Sequence, residues 1–186
     1  MPVPKAIPAQ LDAFEAQTGF RLPRSYREFL LVFGPGEFSV SLLIAAPGYE
    51  YAGRIDLLAT SRSYGWDEQE IAVSNAPPEQ KAHLRRLFYF GLENERQWLG
   101  WDPADIRDAA ASEYGIYRVE ALGFGTELVA TSFQQLVEVT CERLFAPDPN
   151  WDEEEQGPQR TFRPAHWVPD ASQRQAEPGA AADGGA

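Results

Sequence analysis

Between Leu11 and Phe33 two short helical patterns meet at the hinge Gly19-Phe20-Arg21-Leu22-Pro23. Leu11 and Phe14, then Tyr26, Phe29, Leu30 and Phe33, recur at steps of three and four residues, which gathers each set on one side of a 3.6-residue helix. Gly19 suits the left-handed conformation that ends a helix, and Pro23 suits the first turn of the next one. Gly34-Pro35-Gly36 then stops the second helix. Phe20 and Leu22, caught between the helices, are expected to pack rather than face water. Each fully buried large apolar side chain contributes about 1.5–3 kcal/mol, so this cluster can anchor a domain core.

Downstream, Phe38 to Ile44 has the apolar and β-branched content of a strand, closed by Pro47-Gly48, and Gly53 to Leu58 reads as a second. Ala59 to Ala76 is polar, with a short helix after Ser63 and a stop at Pro77-Pro78. Lys81 to Arg86 reads as helical. Leu87 to Phe90 is a compact apolar strand that pairs with Gln97 to Trp101 across the loop Leu92 to Arg96, an antiparallel hairpin. Asp105 to Ser112 reads as a helical turn or loop. Gly115 to Val119 and Glu127 to Ala130 read as further strands. Ser132 is a helix N-cap with Gln135 three residues on, a capping box, and Phe133, Leu136, Val137, Thr140, Cys141 and Leu144 line one face behind it. Helices before and after a run of strands predict an α+β fold. Its central sheet, antiparallel or mixed, is flanked by two N-terminal helices and one C-terminal helix.

The order of landmarks resembles one family. Phe14-Glu15, Gly19, Leu22-Pro23, Tyr26, Phe29-Leu30 and a Gly-rich turn before Phe38 are similar to the opening signature of the SUKH superfamily of Smi/Knr-type domains. Phe90-Gly91, Trp98 to Asp102, Tyr117-Arg118-Val119 and Ser132-Phe133 follow in the expected order, so the resemblance covers roughly residues 7 to 145. Gly34-Pro35-Gly36 departs from the Asn-Gly-Gly turn common in the family, and Tyr64 to Gln80 looks like an insertion. The family is best known for immunity proteins of bacterial toxin systems. The resemblance therefore implies an intracellular protein that neutralises a cognate toxin by stoichiometric binding.

Residues 1–145 form the SUKH-like domain on this reading, and residues 146–186 an acidic, Pro-, Gly- and Ala-rich tail. That tail carries eight acidic residues against three arginines, a net of −5. Poor in core-forming residues, it does not offset its ordering entropy, and disorder is expected over its last part, 171–186. Trp151 and Trp167 interrupt it and are expected to dock on the body.

The net charge of −12 repels phosphate backbones and anionic membrane surfaces, so neither nucleic acid nor membrane is expected as a partner. It attracts basic protein surfaces, such as those that nucleases present to their substrates. Cys141 is the single cysteine, which precludes an internal disulfide and agrees with a reducing cytoplasm. The start lacks the apolar core of a signal peptide, and no run is apolar enough to span a bilayer. A protein monomeric when free is expected.

Catalytic chemistry finds few parts. Neither His83 nor His166 has a recognised nucleophile spacing, and Cys141, on an apolar helix face without an activating cation, reads as core. Zinc spacings are absent, and Asp67, Glu68 and Glu70 lack the Gly and terminal Glu of a calcium loop. The glycines at 34 and 36 precede a strand rather than a helix, so no phosphate loop forms. Glu93, Glu95 and Asp102 approach one another across the predicted hairpin, where recognition is a simpler use than glycosidase chemistry. Asp102, before Pro103, is expected to turn the chain. No enzyme, cofactor or metal is expected. The expected partner-binding residues are Glu37, Tyr49, Glu50, Tyr51, Trp66, Asp67, Glu93, Asn94 and Glu95, which combine exposed charge with aromatic anchors near loops and strand ends. The competing reading is a regulatory scaffold or peptide-binding module that recruits partners through the acidic tail.

Overall fold

In the computed structural model, which describes residues 8–38, 42–48, 71, 74–94, 96–120, 125–145 and 162–164, the hinge has the geometry its residues dictate. Gly19 takes φ of 71°, a left-handed value that glycine adopts without penalty, and its N–H reaches the Glu15 carbonyl at 2.8 Å to close helix α1 (Pro8–Thr18). The Glu15 carboxylate then accepts from the Leu22 N–H at 2.9 Å and pairs with Arg27 at 3.2 Å, which ties the hinge to the next helix. Helix α2 (Arg24–Val32) begins one residue after Pro23, which stands outside the helix with φ −53° and ψ 138° rather than in its first turn.

Strands β1 (Gly36–Phe38) and β2 (Leu42–Ile44) lead to helix α3 (Pro78–Arg86), and β3 (Phe88–Glu93), β4 (Gln97–Asp108), β5 (Glu113–Glu120) and β6 (Thr126–Ala130) follow it. Helix α4 (Phe133–Phe145) and a short β7 (Phe162–Pro164) complete the described elements. All seven strands join one sheet in the order β6-β5-β4-β3-β2-β1-β7, and every neighbouring pair is antiparallel. The fold is thus α+β, with the sheet antiparallel throughout. Among the described residues no helix is long and apolar enough to cross a membrane.

The sheet has a buried cluster on each side. On one face α1, α2 and α4 deliver Leu11, Phe14, Tyr26, Phe29, Leu30, Phe133 and Leu136 onto Leu42, Ile44, Phe90, Leu99, Trp101 and Ile116. Phe20 from the hinge stacks on Phe88 with centroids 4.3 Å apart and planes 5° from parallel, and Tyr26 meets Trp101 edge-on at 4.9 Å. The opposite face is smaller: α3 contributes Leu84 to a cluster with Ile71, Leu87, Tyr89 and Val119.

Several local expectations are corrected. Asp105 to Ser112 is not one loop, because β4 runs on to Asp108, paired with β5 through two register shifts after Asp102. Bulges are where a strand accommodates Pro103, which has no N–H to donate. Helix α3 starts at Pro78 rather than Lys81, just after the break at Pro77, because the first helical position needs no N–H to donate. The predicted loop from Leu92 shortens because β3 continues through Glu93. In the capping box, Ser132 Oγ accepts from the Gln135 N–H at 3.1 Å, while Gln135 Oε1 reaches back to Thr131 rather than Ser132. The tail also supplies a strand: Phe162–Pro164 pairs with β1. The expected strand at 53–58, the helix after Ser63, Trp151, Trp167 and the segment 171–186 lie outside the described residues.

Candidate interaction surface

Of the nine residues expected to bind a partner, Glu37, Glu93 and Asn94 fall within the described structure, and Tyr49, Glu50, Tyr51, Trp66, Asp67 and Glu95 lie outside it. Glu37 sits half-buried at the centre of β1, facing Leu43 of β2 on one side and Arg163 of β7 on the other. Asn94 is exposed at the β3–β4 turn, where its φ of 50° is a left-handed value that Asn tolerates better than most residues.

Glu93 departs from the expectation of an exposed charge. It is only 2% exposed, and its carboxylate is held by two arginines. Arg118 of β5 donates through Nε at 2.8 Å and lies within 2.7 Å through Nη2, while Arg143 of α4 donates to the other oxygen. Arg118 also pairs with Glu127 of β6 at 3.1 Å. A carboxylate clamped in this way fastens α4 to the sheet and is not available to steer a partner. Sequence pattern concealed this, because Arg118 and Arg143 are 25 and 50 residues away.

Side chains along a strand alternate between faces, so the register separates Glu37 from Glu93. Phe38, Leu42 and Glu93 stand in one row on the face covered by α1, α2 and α4, whereas Glu37, Leu43, Leu92 and Trp98 form the next row on the opposite face. All four members of that second row are half-buried, Leu43 and Trp98 packing against the core clusters with part of their surface left open. An acidic residue, two leucines and a tryptophan thus cross four neighbouring strands as a partly open strip. Leu43, Leu92 and Trp98 were missed from sequence: alternation from Leu99 and Trp101 turns Trp98 to the opposite face, but Leu92 reaches that face only because the bulge between Tyr89 and Gly91 breaks its alternation with Phe90.

The same face holds a polar cluster at its other end. Arg86 of α3 forks onto the nearly buried Asp102, with Nε to Oδ1 at 2.7 Å and Nη2 to Oδ2 at 2.6 Å, and Asp102 accepts from the Ala104 N–H at 2.9 Å. Asp102 therefore locks α3 to β4 instead of merely turning the chain. His83 lies with Nε2 3.3 Å from the same carboxylate, without hydrogen-bonding geometry, and its ring meets Tyr117 edge-on at 4.5 Å. Burial pushes His83 below its ordinary value against the attraction of Asp102, which keeps the imidazole neutral near pH 7. Burial would also raise the Asp102 carboxyl, but the Arg86 fork and the Ala104 N–H outweigh it and hold that group low. Tyr117 donates to Asp105 at 2.9 Å, and burial pushes its phenol up.

These groups hold elements together by ion pairing. On α4, Cys141 is half-buried, and burial raises its thiol, which disfavours the reactive thiolate. Among the described residues no group of three or more His, Cys, Asp or Glu is placed to hold a metal. What the described surface offers is shape and charge: the Glu37–Trp98 strip and the Asn94 turn beside it.

Comparison with known families finds a match to the SMI1 / KNR4 family (SUKH-1) over residues 5–138, more than half of the chain. The match takes in the hinge, both faces of the sheet and the first turns of α4. No curated protein matches the chain.

Proposed function

The chain belongs to the SMI1 / KNR4 family (SUKH-1), and on that premise we propose that it is an immunity protein that neutralises a cognate protein toxin by stoichiometric binding. Domains of this family are commonly immunity proteins, and the family match is the observation that carries the reading. The net charge of −12 supports it, because an acidic body is complementary to the basic surface with which a nuclease-type toxin would hold its substrate. The mechanism is occlusion: acidic and aromatic groups cover that surface and exclude the substrate.

Glu37, Asn94, Glu95 and the residues 49–51 and 66–67 are the proposed contacts, to which the partly buried Leu43, Leu92 and Trp98 are added. Glu93 serves them indirectly, by fixing β3, β5 and α4. The buried carboxylates Glu93, Asp102 and Glu113 are all engaged by neighbouring donors, which favours binding over catalysis as the work left to this surface. The tail-driven scaffold gains no specific observation, since the described tail segment pairs within the sheet.

Co-expression of the chain with the toxin domain encoded beside it tests the proposal. Growth should be rescued when the two proteins are made in comparable amounts, and a complex of defined stoichiometry should elute from a sizing column. Absence of both rescue and complex would sink the immunity reading.

A further inference from the structure

The edge of β1 is closed by the chain's own tail, and the closure is slight. β7 has three residues, set against β1 in the register Gly36–Pro164, Glu37–Arg163 and Phe38–Phe162. Its one aromatic side chain enters a socket made by α2 and β1. Phe162 lies 4.8 Å from Phe38, 5.6 Å from Phe29 and 5.9 Å from Phe33 between ring centroids, the last two edge-on. Phe29 and Phe38 are themselves 5.7 Å apart, so the socket has its own packing. The plug does not cover it: Phe33 remains 50% exposed.

Strand addition to a sheet edge takes affinity from main-chain hydrogen bonds and selectivity from pockets for alternate side chains. Both are present here. The backbone edge is β1, the pocket is the phenylalanine socket on the helix-covered face, and the acidic Glu37 stands on the opposite face of β1 at the register position of Arg163. We infer that the β1 edge is a docking site for an extended partner segment of the pattern aromatic–basic–any residue, which binds antiparallel to β1 by displacing β7. The inference goes beyond the immunity reading, since the partner need not be a toxin. The basic residue is chosen by Glu37 and by the acidic body; the aromatic one is chosen by the socket.

β7 competes as a tethered ligand. A tethered competitor weakens the apparent affinity of a free segment by about the ratio of its effective concentration to its own dissociation constant, so a free segment displaces β7 where that ratio is modest, about ten. The probe is a labelled synthetic peptide with the sequence of residues 158–167, titrated into the full-length chain. Phe162→Ala removes the plug but leaves the socket, and it should bind the peptide about tenfold more tightly than the wild type does, because its internal competitor is weakened. A peptide with its phenylalanine changed to alanine should not bind. Equal binding to wild type and Phe162→Ala, or binding to neither, would overturn the inference. So would a wild-type dimer that Phe162→Ala abolishes, which would make a second copy's β7 the occupant.

A second variant guards against loss of fold. Facing residues of an antiparallel pair are close enough for a disulfide. In a Cys141→Ser background, Glu37→Cys with Arg163→Cys should cross-link on oxidation, lock β7 in place and weaken peptide binding about tenfold or more, with recovery on reduction. Failure to cross-link, or equal binding in both redox states, would count against displacement.

Discussion

Glu113 shows how much one side chain organises. It is 7% exposed, and its carboxylate accepts from the Ser25 N–H at 2.8 Å, from Ser25 Oγ at 2.9 Å and from the Phe133 N–H at 3.4 Å. Helix α2 has no capping side chain of its own at Pro23, so a residue 88 positions away caps it and also meets the first turn of α4. Helix N-termini present unpaired N–H groups and favour negative charge, so removing this anion exposes both at once. Glu113→Ala should lower stability by about 2–4 kcal/mol in urea titration, with Glu113→Gln intermediate. A loss within experimental error would show that water replaces the carboxylate without cost. His83 and Asp102 set the acid side of the stability profile. The folded value of His83 lies below 6.5, so its contribution is complete above that pH and is lost as pH falls through 6.5 toward the folded value. That of Asp102 lies below 3.8, so its share is lost only as pH falls under 3.8. Urea midpoints measured across this range should decline in two stages, and His83→Gln should abolish the first. An unchanged first stage would place the titrating group elsewhere.

At the scale of elements, close strand approach is enforced where a side chain would collide with backbone. A Cβ at Gly91 would lie 2.8 Å from the Leu43 carbonyl oxygen, which belongs to the neighbouring strand and is not free to swing away. At Gly100 the nearest atoms, in Leu87 and Tyr89, lie at 3.2 and 3.3 Å and belong to side chains. Gly91→Ala should therefore destabilise by about 1–3 kcal/mol, clearly more than Gly100→Ala, as read from thermal unfolding of the two variants. The reverse order would mean that β2 and β3 separate more easily than the second core repacks. Elements with a strong local cause were legible in the sequence: the hinge glycine, the apolar spacing of α2, the Ser132 cap and the hairpin of β3 and β4. What escaped is carried by distant partners. The extension of β4 past Pro103 depends on pairing with β5 through bulges, and the Glu93 clamp needs two arginines from other elements. β7 is three residues whose phenylalanine gains meaning only from Phe29, Phe33 and Phe38. For the candidate site the sequence pointed only to a class of surface, acidic and aromatic near strand ends. Which face each residue occupies was not legible, because a one-residue change of register moves a side chain across the sheet.

For the whole molecule, charge and structure divide the work. Buried acids serve the fold: Glu93, Asp102 and Glu113 each join elements remote in sequence, so reversing one of them tests stability, not recognition. Glu93→Lys should destabilise the domain rather than tune association, since it would place a third cation beside Arg118 and Arg143. On the proposed reading recognition falls to acids at the surface, of which Glu37 shares a row with Trp98. Long-range attraction between an acidic body and a basic partner acts on the encounter rate and weakens with salt, since the Debye length shrinks from about 10 Å at 0.1 M to about 3 Å at 1 M. Association with a basic cognate partner, followed by stopped-flow fluorescence, should therefore slow as salt rises. Glu37→Lys should reduce the rate at low salt while leaving the unfolding free energy, from urea titration, within about 0.5 kcal/mol of the wild type. An association rate indifferent to salt would remove electrostatic steering from the mechanism. A Glu37→Lys variant slowed equally at low and high salt would make Glu37 a short-range contact instead of a steering charge.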